Sequence, residues 1–363
     1  EPFTFFFSSG VHQITLSVQK GNFAIDEISL SNDHASEPYA MIKAGYKRNA
    51  YAPTSNHLIK IEGERPILRS DPILQPQSDA SGPATSPSDP VKIRMNTVGG
   101  YNWQYPHQWI TWEFEVPESG LYNIATRARQ TYNQGTLTTR RLLIDGEVPF
   151  AEADAIDFPY ERDWYIRIIG EDEPYLFYLE KGRHEVSLEV VSGQMAETIR
   201  ITEETVYRLN YAYRRIIMIT GTNPDQFRDY YLEQEIPGLM ENFAEAKEAL
   251  IAEKRRLEQI TGLRGAVTAS FDRVILQLES FERRPYTIAS RLTTYRDNIG
   301  ALAGTMLSLK NQPLLIDYLL IASPDVELPK ATAGFIPRTV FRLRRFFGSF
   351  SEDYSTVGEI YDK

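Results

Sequence analysis

Apolar and polar residues alternate in short runs across the middle of the chain. Trp109–Val116 alternates and stops at Pro117–Glu118–Ser119–Gly120. Leu121–Arg129 alternates again, Arg140–Ile144 ends at Asp145–Gly146, and Gly182–Arg183–His184 turns into Glu185–Val190. A two-residue period turns one face of each strand toward a core and the other toward water. Many short strands separated by turn residues predict a β-sandwich or jelly roll. Residues 75–90, rich in Gln, Pro, Ser, Asp and Gly, read as a long polar loop.

From Thr202 to Lys310 the period becomes helical. Val206, Leu209, Tyr213 and Ile216 form one stripe. Leu239, Phe243, Ala246, Leu250, Leu257 and Ile260 form a second, broken at Glu253. Val267, Phe271, Val274, Leu278 and Phe281 form a third. Ile288, Leu292, Tyr295, Ile299, Leu302, Met306 and Leu309 form the fourth. Such stripes predict four antiparallel helices around a core, turning at Gly262–Gly265 and Arg283–Pro285. A shorter helix is expected from Asn223–Pro224–Asp225 to Glu235. Another amphipathic helix is expected over residues 329–348, with Ile336, Val340, Leu343 and Phe347 on one face and Arg338, Arg342 and Arg345 on another. A basic amphipathic helix can lie on a membrane surface, so residues 336–347 are the one segment suited to membrane contact; docking on its own domain is the commoner outcome.

An internal repeat sets the expected organisation. Residues 1–21 (EPFTFFFSSGVHQITLSVQKG) align without gaps with 173–193 (EPYLFYLEKGRHEVSLEVVSG), at an offset of 172. Phe23–Leu30 aligns instead with Leu314–Ile321, at an offset of 291. The offsets differ by 119, so about that many residues are inserted before the last strand of the second copy. The expected units are the final strands of a truncated first module (1–32), a second module (37–196 with 313–325), an inserted helical bundle (197–312), the amphipathic helix (329–348) and a linker toward a missing domain (349–363). The fold class is α+β: a β-sandwich interrupted by helices before its last strand.

Charge and composition narrow the function. A net charge of −10 argues against nucleic acid as a partner. There is no cysteine, which excludes disulfides and thiol chemistry. No apolar run reaches membrane-spanning length, and no signal sequence is present in this chain. No nucleophile elbow, P-loop, dinucleotide fingerprint or zinc-protease motif occurs. Asp154 with Asp157, or Glu171 with Asp172, have no evident geometry for a glycosidase pair, and the five histidines are scattered, so no catalytic residue is expected. Two aromatic loops stand out: Gly99–Gln108, carrying Tyr101, Asn102, Trp103 and Tyr105, and Phe158–Trp164, carrying Tyr160 and Trp164. Rings on loops can stack on sugar faces while amides bond hydroxyls, so these six residues are the candidate ligand contacts.

The strand and turn series resembles the carbohydrate-binding modules of families 6 and 35, which are galactose-binding-like jelly rolls. The matching pieces are Ile59–Glu64, Val116–Ile124, Leu143–Gly146, Gly182–His184 and Ile316–Leu319. The resemblance implies a structural calcium held by Glu62, Glu64 and Asp317, since calcium takes several carboxylate oxygens. The helical insert departs from that pattern. Ile316–Asp325 and Ser349–Gly358 are similar to the N-terminal region of large extracellular solute-binding proteins of Gram-positive bacteria. That likeness implies an exported, cell-surface accessory region that captures oligo- or polysaccharide for an ABC transporter, whose permease would be met through the missing domain. The alternative is a structural or protein-interaction module whose bundle contacts a cell-surface partner.

Overall fold

The computed structural model describes residues 10–15 and 36–348. The expected strands at 1–32, apart from residues 10–15, and the expected linker at 349–363 lie outside the described residues. In chain order, α1 (Tyr39–Arg48) is followed by β1 (Leu58–Glu62), β2 (Leu68–Arg69), β3 (Pro76–Gln77), β4 (Thr97–Gly100) and β5 (Trp109–Val116). Then come β6 (Gly120–Arg129), β7 (Thr138–Ile144), β8 (Ile156–Phe158), β9 (Tyr165–Ile168), β10 (Leu176–Leu179) and β11 (Gly182–Val191). The helices α2 (Met195–Thr220), α3 (Leu232–Glu235), α4 (Leu239–Thr261), α5 (Ala266–Arg283) and α6 (Leu292–Leu309) precede β12 (Leu314–Ala322), and α7 (Phe335–Gly348) closes the described chain.

The strands form two antiparallel sheets. The seven-stranded sheet runs β10-β6-β12-β4-β3, with β1 also on β12 and β9 also on β6; the five-stranded sheet runs β2-β5-β11-β7-β8. Their inner faces enclose one core that includes Trp103, Trp112, Tyr122, Phe150, Phe158 and Phe177. The last strand before the helices, β11, lies in the smaller sheet, whereas β12 lies in the middle of the larger one. The jelly roll therefore receives a central strand only after the bundle has been traversed.

The alternating pattern holds on β11 and along the second half of β5 but not on β12, which is buried along all nine residues. Its outer face is covered too: Tyr318 and Leu320 pack with Ala125, Ile166, Ile168 and Leu328. A register shift between Ile316 and Tyr318 marks a bulge opposite β6. Successive strand side chains normally point to opposite faces. The bulge instead lets both Asp317 and Tyr318 meet the Arg127 guanidinium.

The bundle follows the four stripes. Phe243, Phe271, Phe281 and Tyr295 are fully buried at its centre, and the Tyr295 hydroxyl donates to the Leu209 carbonyl at 2.9 Å. The break in the α4 stripe is a buried contact between helices. Glu253 accepts from Thr198 Oγ1 of α2 at 2.5 Å and pairs with Arg256 at 2.7 Å. Leu137, just before β7, is buried among the bundle residues, so the sandwich contributes to the helical core. Gly265 lets the α4–α5 turn meet the β6–β7 loop backbone to backbone; an added Cβ would lie 1.9 Å from the Gln134 carbonyl oxygen.

Two helical expectations need correction. Only Leu232–Glu235 of the segment expected from Asn223 is helical. Upstream, Asp225 and Asp229 cap the backbone N–H of Phe227 and Tyr231 two residues on, and such turns compete with helix. The tail helix begins at Phe335, and its orientation is the reverse of what an apolar stripe suggests. Ile336, Val340, Leu343 and Phe347 face solvent, while Phe341 is buried and Arg345 donates to the Ala80 carbonyl at 3.1 Å. No helix among the described residues is long and apolar enough to cross a membrane.

Arg140 holds the junction of sandwich and bundle. Its guanidinium is wholly buried, lies 4.3 Å from the Trp103 ring centre, and donates to the carbonyls of Thr139, Trp103 and Gln312 at 2.9, 3.1 and 2.8 Å. Burial lowers its pKa to about 9, so it stays charged at neutral pH. Arg140→Ala leaves three buried carbonyls short of a donor and a void under Trp103, and is expected to cost about 3 kcal/mol or more of unfolding free energy. Chemical denaturation monitored by tryptophan fluorescence checks this; a loss within about 0.5 kcal/mol would show that the junction does not rely on it.

Candidate functional site

The two aromatic loops lead to two different clefts. On the first, Gln108 folds the chain back: its Oε1 accepts from the backbone N–H of both Gln104 and Tyr105 at 3.0 Å. This turn drives Trp103 inward. Trp103 is 0% exposed, and its Nε1 donates to the Gln108 carbonyl at 3.1 Å. The expectation that Trp103 meets a ligand is therefore corrected: it is a core residue. Tyr101 is 65% exposed and packs edge-on against Tyr132, ring centres 4.6 Å apart.

Tyr132 lines a cleft of about 220 Å³ where the β6–β7 loop meets the starts and ends of bundle helices. Its other polar lining comes from Asn133, Gln134, Thr136 and Ser308, with Val267 and Leu309 as apolar floor. Asn133 Nδ2 is anchored on the Asn311 carbonyl at 3.1 Å, which fixes the loop to the end of α6. Gly100, at φ +63°, allows the Tyr132 hydroxyl to approach; an added Cβ would lie 2.7 Å from that oxygen. Burial raises the Tyr132 pKa, so its phenol remains a hydrogen-bond donor at neutral pH. An aromatic pair beside amides and hydroxyls, without a charged side chain among the described lining residues, suits an uncharged polyhydroxylated ligand.

The second loop delivers Trp164 to a cleft of about 240 Å³ on the outer face of the larger sheet. Trp164 is only 6% exposed, so it cannot offer a whole ring face to a sugar. Its Nε1 donates to Asp79 at 3.2 Å, and the guanidiniums of Arg127 and Arg129 lie 4.6 and 4.7 Å from its ring. Asn102, Tyr105 and Tyr160 line neither cleft. The six expected contacts are thus dispersed, with Tyr101 beside one cleft and Trp164 in the other. Tyr132, Asn133, Gln134 and Thr136 were missed, because a short polar loop between two strands has no periodicity to distinguish it.

The expected calcium ligands come near one another, but not as a cation site. Glu62 and Glu64 each keep one buried carboxylate oxygen without a hydrogen-bond partner, as a metal ligand would. Asp317 does not: its Oδ2 is paired with Arg127 and its Oδ1 accepts from Ser86 N–H at 3.4 Å. Arg127 already supplies the positive charge there, and among the described residues no group of three or more His, Asp or Glu is placed to hold a metal. As a set, Glu62, Glu64 and Asp317 do not fit calcium in this arrangement.

Other acidic and basic groups have structural partners. Asp154 pairs with Arg141 at 2.5 Å, and Asp157 accepts from Thr139 and Gln194 at 2.7 and 2.8 Å. His184 bridges Asp145 and the Glu180 carbonyl, both at 2.7 Å, which is a turn tie. Burial alone would lower its pKa, but these two partners outweigh burial and raise it.

Residues 197–304 match the family described as bacterial solute-binding protein, 4-helix bundle domain. No curated protein matches the chain. Among solved structures the chain is similar to the GH26-CBM35 β-(1,4)-mannanase of Podospora anserina, at 12% identity and a TM-score of 0.27, over 38% of this chain and 25% of that one. It is similar to a family 35 carbohydrate-binding module from Clostridium thermocellum, at 13% identity and a TM-score of 0.27, over 38% of this chain and 88% of that one. It is also similar to the CBM35 from Cellvibrio japonicus Abf62, at 12% identity and a TM-score of 0.26, over 37% of this chain and 83% of that one. The chain thus spans a quarter of the length of the mannanase.

Burial pushes Glu64 from 4.5 up to about 7, with the charges of Glu62 and Asp317 adding to it. A carboxyl raised in the folded state contributes stability that is fully present below its unfolded pKa and lost as pH rises through the folded value. Glu64→Gln is therefore expected to melt above the parent at pH 8 and level with it near pH 4, with EDTA changing neither. A Glu64→Gln protein that melts lower at pH 8, together with several degrees of destabilisation by EDTA, would restore a cation at Glu62 and Glu64.

Proposed function

We propose that this chain is a non-catalytic carbohydrate-binding accessory region of an exported bacterial solute-binding protein, capturing oligosaccharide at the cell surface for import. The observation that carries the reading is the cleft at the sandwich–bundle junction, where Tyr101 and Tyr132 stand beside Asn133, Gln134, Thr136 and Ser308. The match of the bundle to a domain of bacterial solute-binding proteins supports the cellular setting. In this reading the sandwich and bundle hold a glycan between them, and an ABC permease is the downstream acceptor of the sugar. Gram-positive surface display belongs to the same proposal.

One observation favours a second reading, a protein-interaction module. The outer face of α2 exposes Tyr207 and Tyr211 beside Met306 of α6, forming a groove of about 240 Å³. Exposed aromatics of this kind also serve protein interfaces.

An array of neutral gluco-, galacto-, manno- and xylo-oligosaccharides separates the two. The proposal expects binding to at least one class, weakened about tenfold or more by Tyr132→Ala, which removes the stacking ring. Correctly folded protein that binds none of them would overturn the glycan reading in favour of the interaction module.

A further inference from the structure

The cleft around Trp164 carries a charge that its setting does not explain. Five guanidiniums line it: Arg127 and Arg129 from β6, Arg162 from the loop before β9, and Arg338 and Arg342 from α7. Arg127 is neutralised by Asp317 and Arg129 by Asp79. Among the described residues three arginines remain against Asp163, the one acid they place in the lining, which leaves a surplus of two positive charges. Among the described residues, the side chains of Arg162, Arg338 and Arg342 have no ion-pair or hydrogen-bond partner. The chain as a whole carries −10, so this concentration of positive charge runs against its surroundings. Like charges gathered round one small space repel one another unless something answers them.

The geometry also shows how the surplus is held in place. Arg127 is fixed by the Ala331 carbonyl at 2.8 Å and Thr85 Oγ1 at 3.2 Å, in addition to Asp317. Phe341 is buried and Arg345 bonds the Ala80 carbonyl, which docks α7 with Arg338 and Arg342 turned to the cleft. Two separate segments, the loop before β9 and α7, therefore deliver three unpaired guanidiniums to one rim, over a floor set by the paired arginines of β6. At about 240 Å³ the cleft is smaller than the ~300–1,000 Å³ of sites that enclose a drug-sized ligand, so it suits one compact group.

We propose that this cleft binds a phosphate ester of a small soluble molecule, with the phosphoryl group held by Arg162, Arg338 and Arg342. A phosphate monoester carries about −1.5 to −2 at neutral pH, which answers the surplus, whereas a single carboxylate answers half of it. Guanidinium forks grip phosphate oxygens two at a time, and three of them can share the three terminal oxygens. A phospholipid headgroup has the same chemistry but the wrong side. The apolar residues Ile336, Val340, Leu343 and Phe347 point to solvent, away from the docked arginine face, so a bilayer meeting them would lie across the helix from the cleft. The site is separate from the Tyr132 cleft, so it goes beyond the glycan reading and stands without it.

Calorimetric titration of the whole chain with glucose 6-phosphate, inorganic phosphate, glucose and glucuronate, alongside sedimentation with phosphatidylglycerol vesicles, tests the assignment. Glucose 6-phosphate and phosphate should bind with a dissociation constant of about 1 mM or tighter, at least about tenfold better than glucuronate, and glucose should not compete. Arg338→Gln with Arg342→Gln should weaken phosphate binding about tenfold or more, with rising salt doing the same. Because that pair could loosen α7, Arg162→Gln, on a separate loop, is measured in parallel and should weaken binding in the same direction. No phosphate binding at about 20 mM, glucuronate binding as tightly as the phosphate ester, full affinity in the Arg162→Gln protein, or binding to vesicles alone would each overturn it.

Discussion

The structure turns on a buried guanidinium without a carboxylate. Arg140 is answered by three backbone carbonyls and the face of Trp103. Burying an ionised group is tolerated only where hydrogen bonds replace its water, and these carbonyls come from three parts of the chain. One belongs to the aromatic loop, one to β7, and one to Gln312, where the chain comes back from the helices. Gln312 extends the clamp: it bonds Gln104 through its backbone N–H at 2.8 Å and accepts from Thr139 N–H at 3.0 Å. The departure point is tied to the same strand, since Val191 pairs with Thr139 and Gln194 bonds Asp157, itself a partner of Thr139. A long insert can leave and rejoin a sandwich only if its two ends are fixed together, and β7 does that here.

Placement of β12 gives the clamp its consequence. The strand that follows the helices pairs with β6, β1 and β4 at the middle of the larger sheet, and its nine residues are buried. Completing that sheet waits on contacts separated by the whole insert, an ordering that costs loop-closure entropy. The benefit is geometric. The β6–β7 loop sends Leu137 into the helical core while Tyr132, Asn133 and Gln134 stay at least partly exposed beside the end of α6. The junction cleft exists because sandwich and bundle each supply one wall.

Much of this was legible in the residues. Four helical stripes became four buried seams because apolar spacing of three and four has one stable use in a polar helix. The repeat offset located the insert before the last strand. What periodicity does not carry is which residues far apart in sequence end as neighbours. Asp317 looked like a calcium ligand, but its charge is answered by Arg127, a residue of an ordinary alternating strand. Trp103 looked exposed by its loop composition and is buried because Gln108 turns the loop back on itself. The α7 stripe faces outward because Phe341 and the arginines dock instead. The arginine cleft left only a faint trace, a two-residue spacing at 127 and 129 on a strand and a four-residue spacing at 338 and 342 on a helix.

In the proposed function, a glycan is held at the wall shared by sandwich and bundle. Hydrogen–deuterium exchange of the full chain, with and without saturating neutral oligosaccharide, reads that wall directly. Slowed exchange is expected in residues 130–137 and around 266–267 and 308–309, on both sides of the junction at once, with the outer face of α2 unchanged. Protection confined to α2, or none at the junction while the sugar is bound, would contradict it.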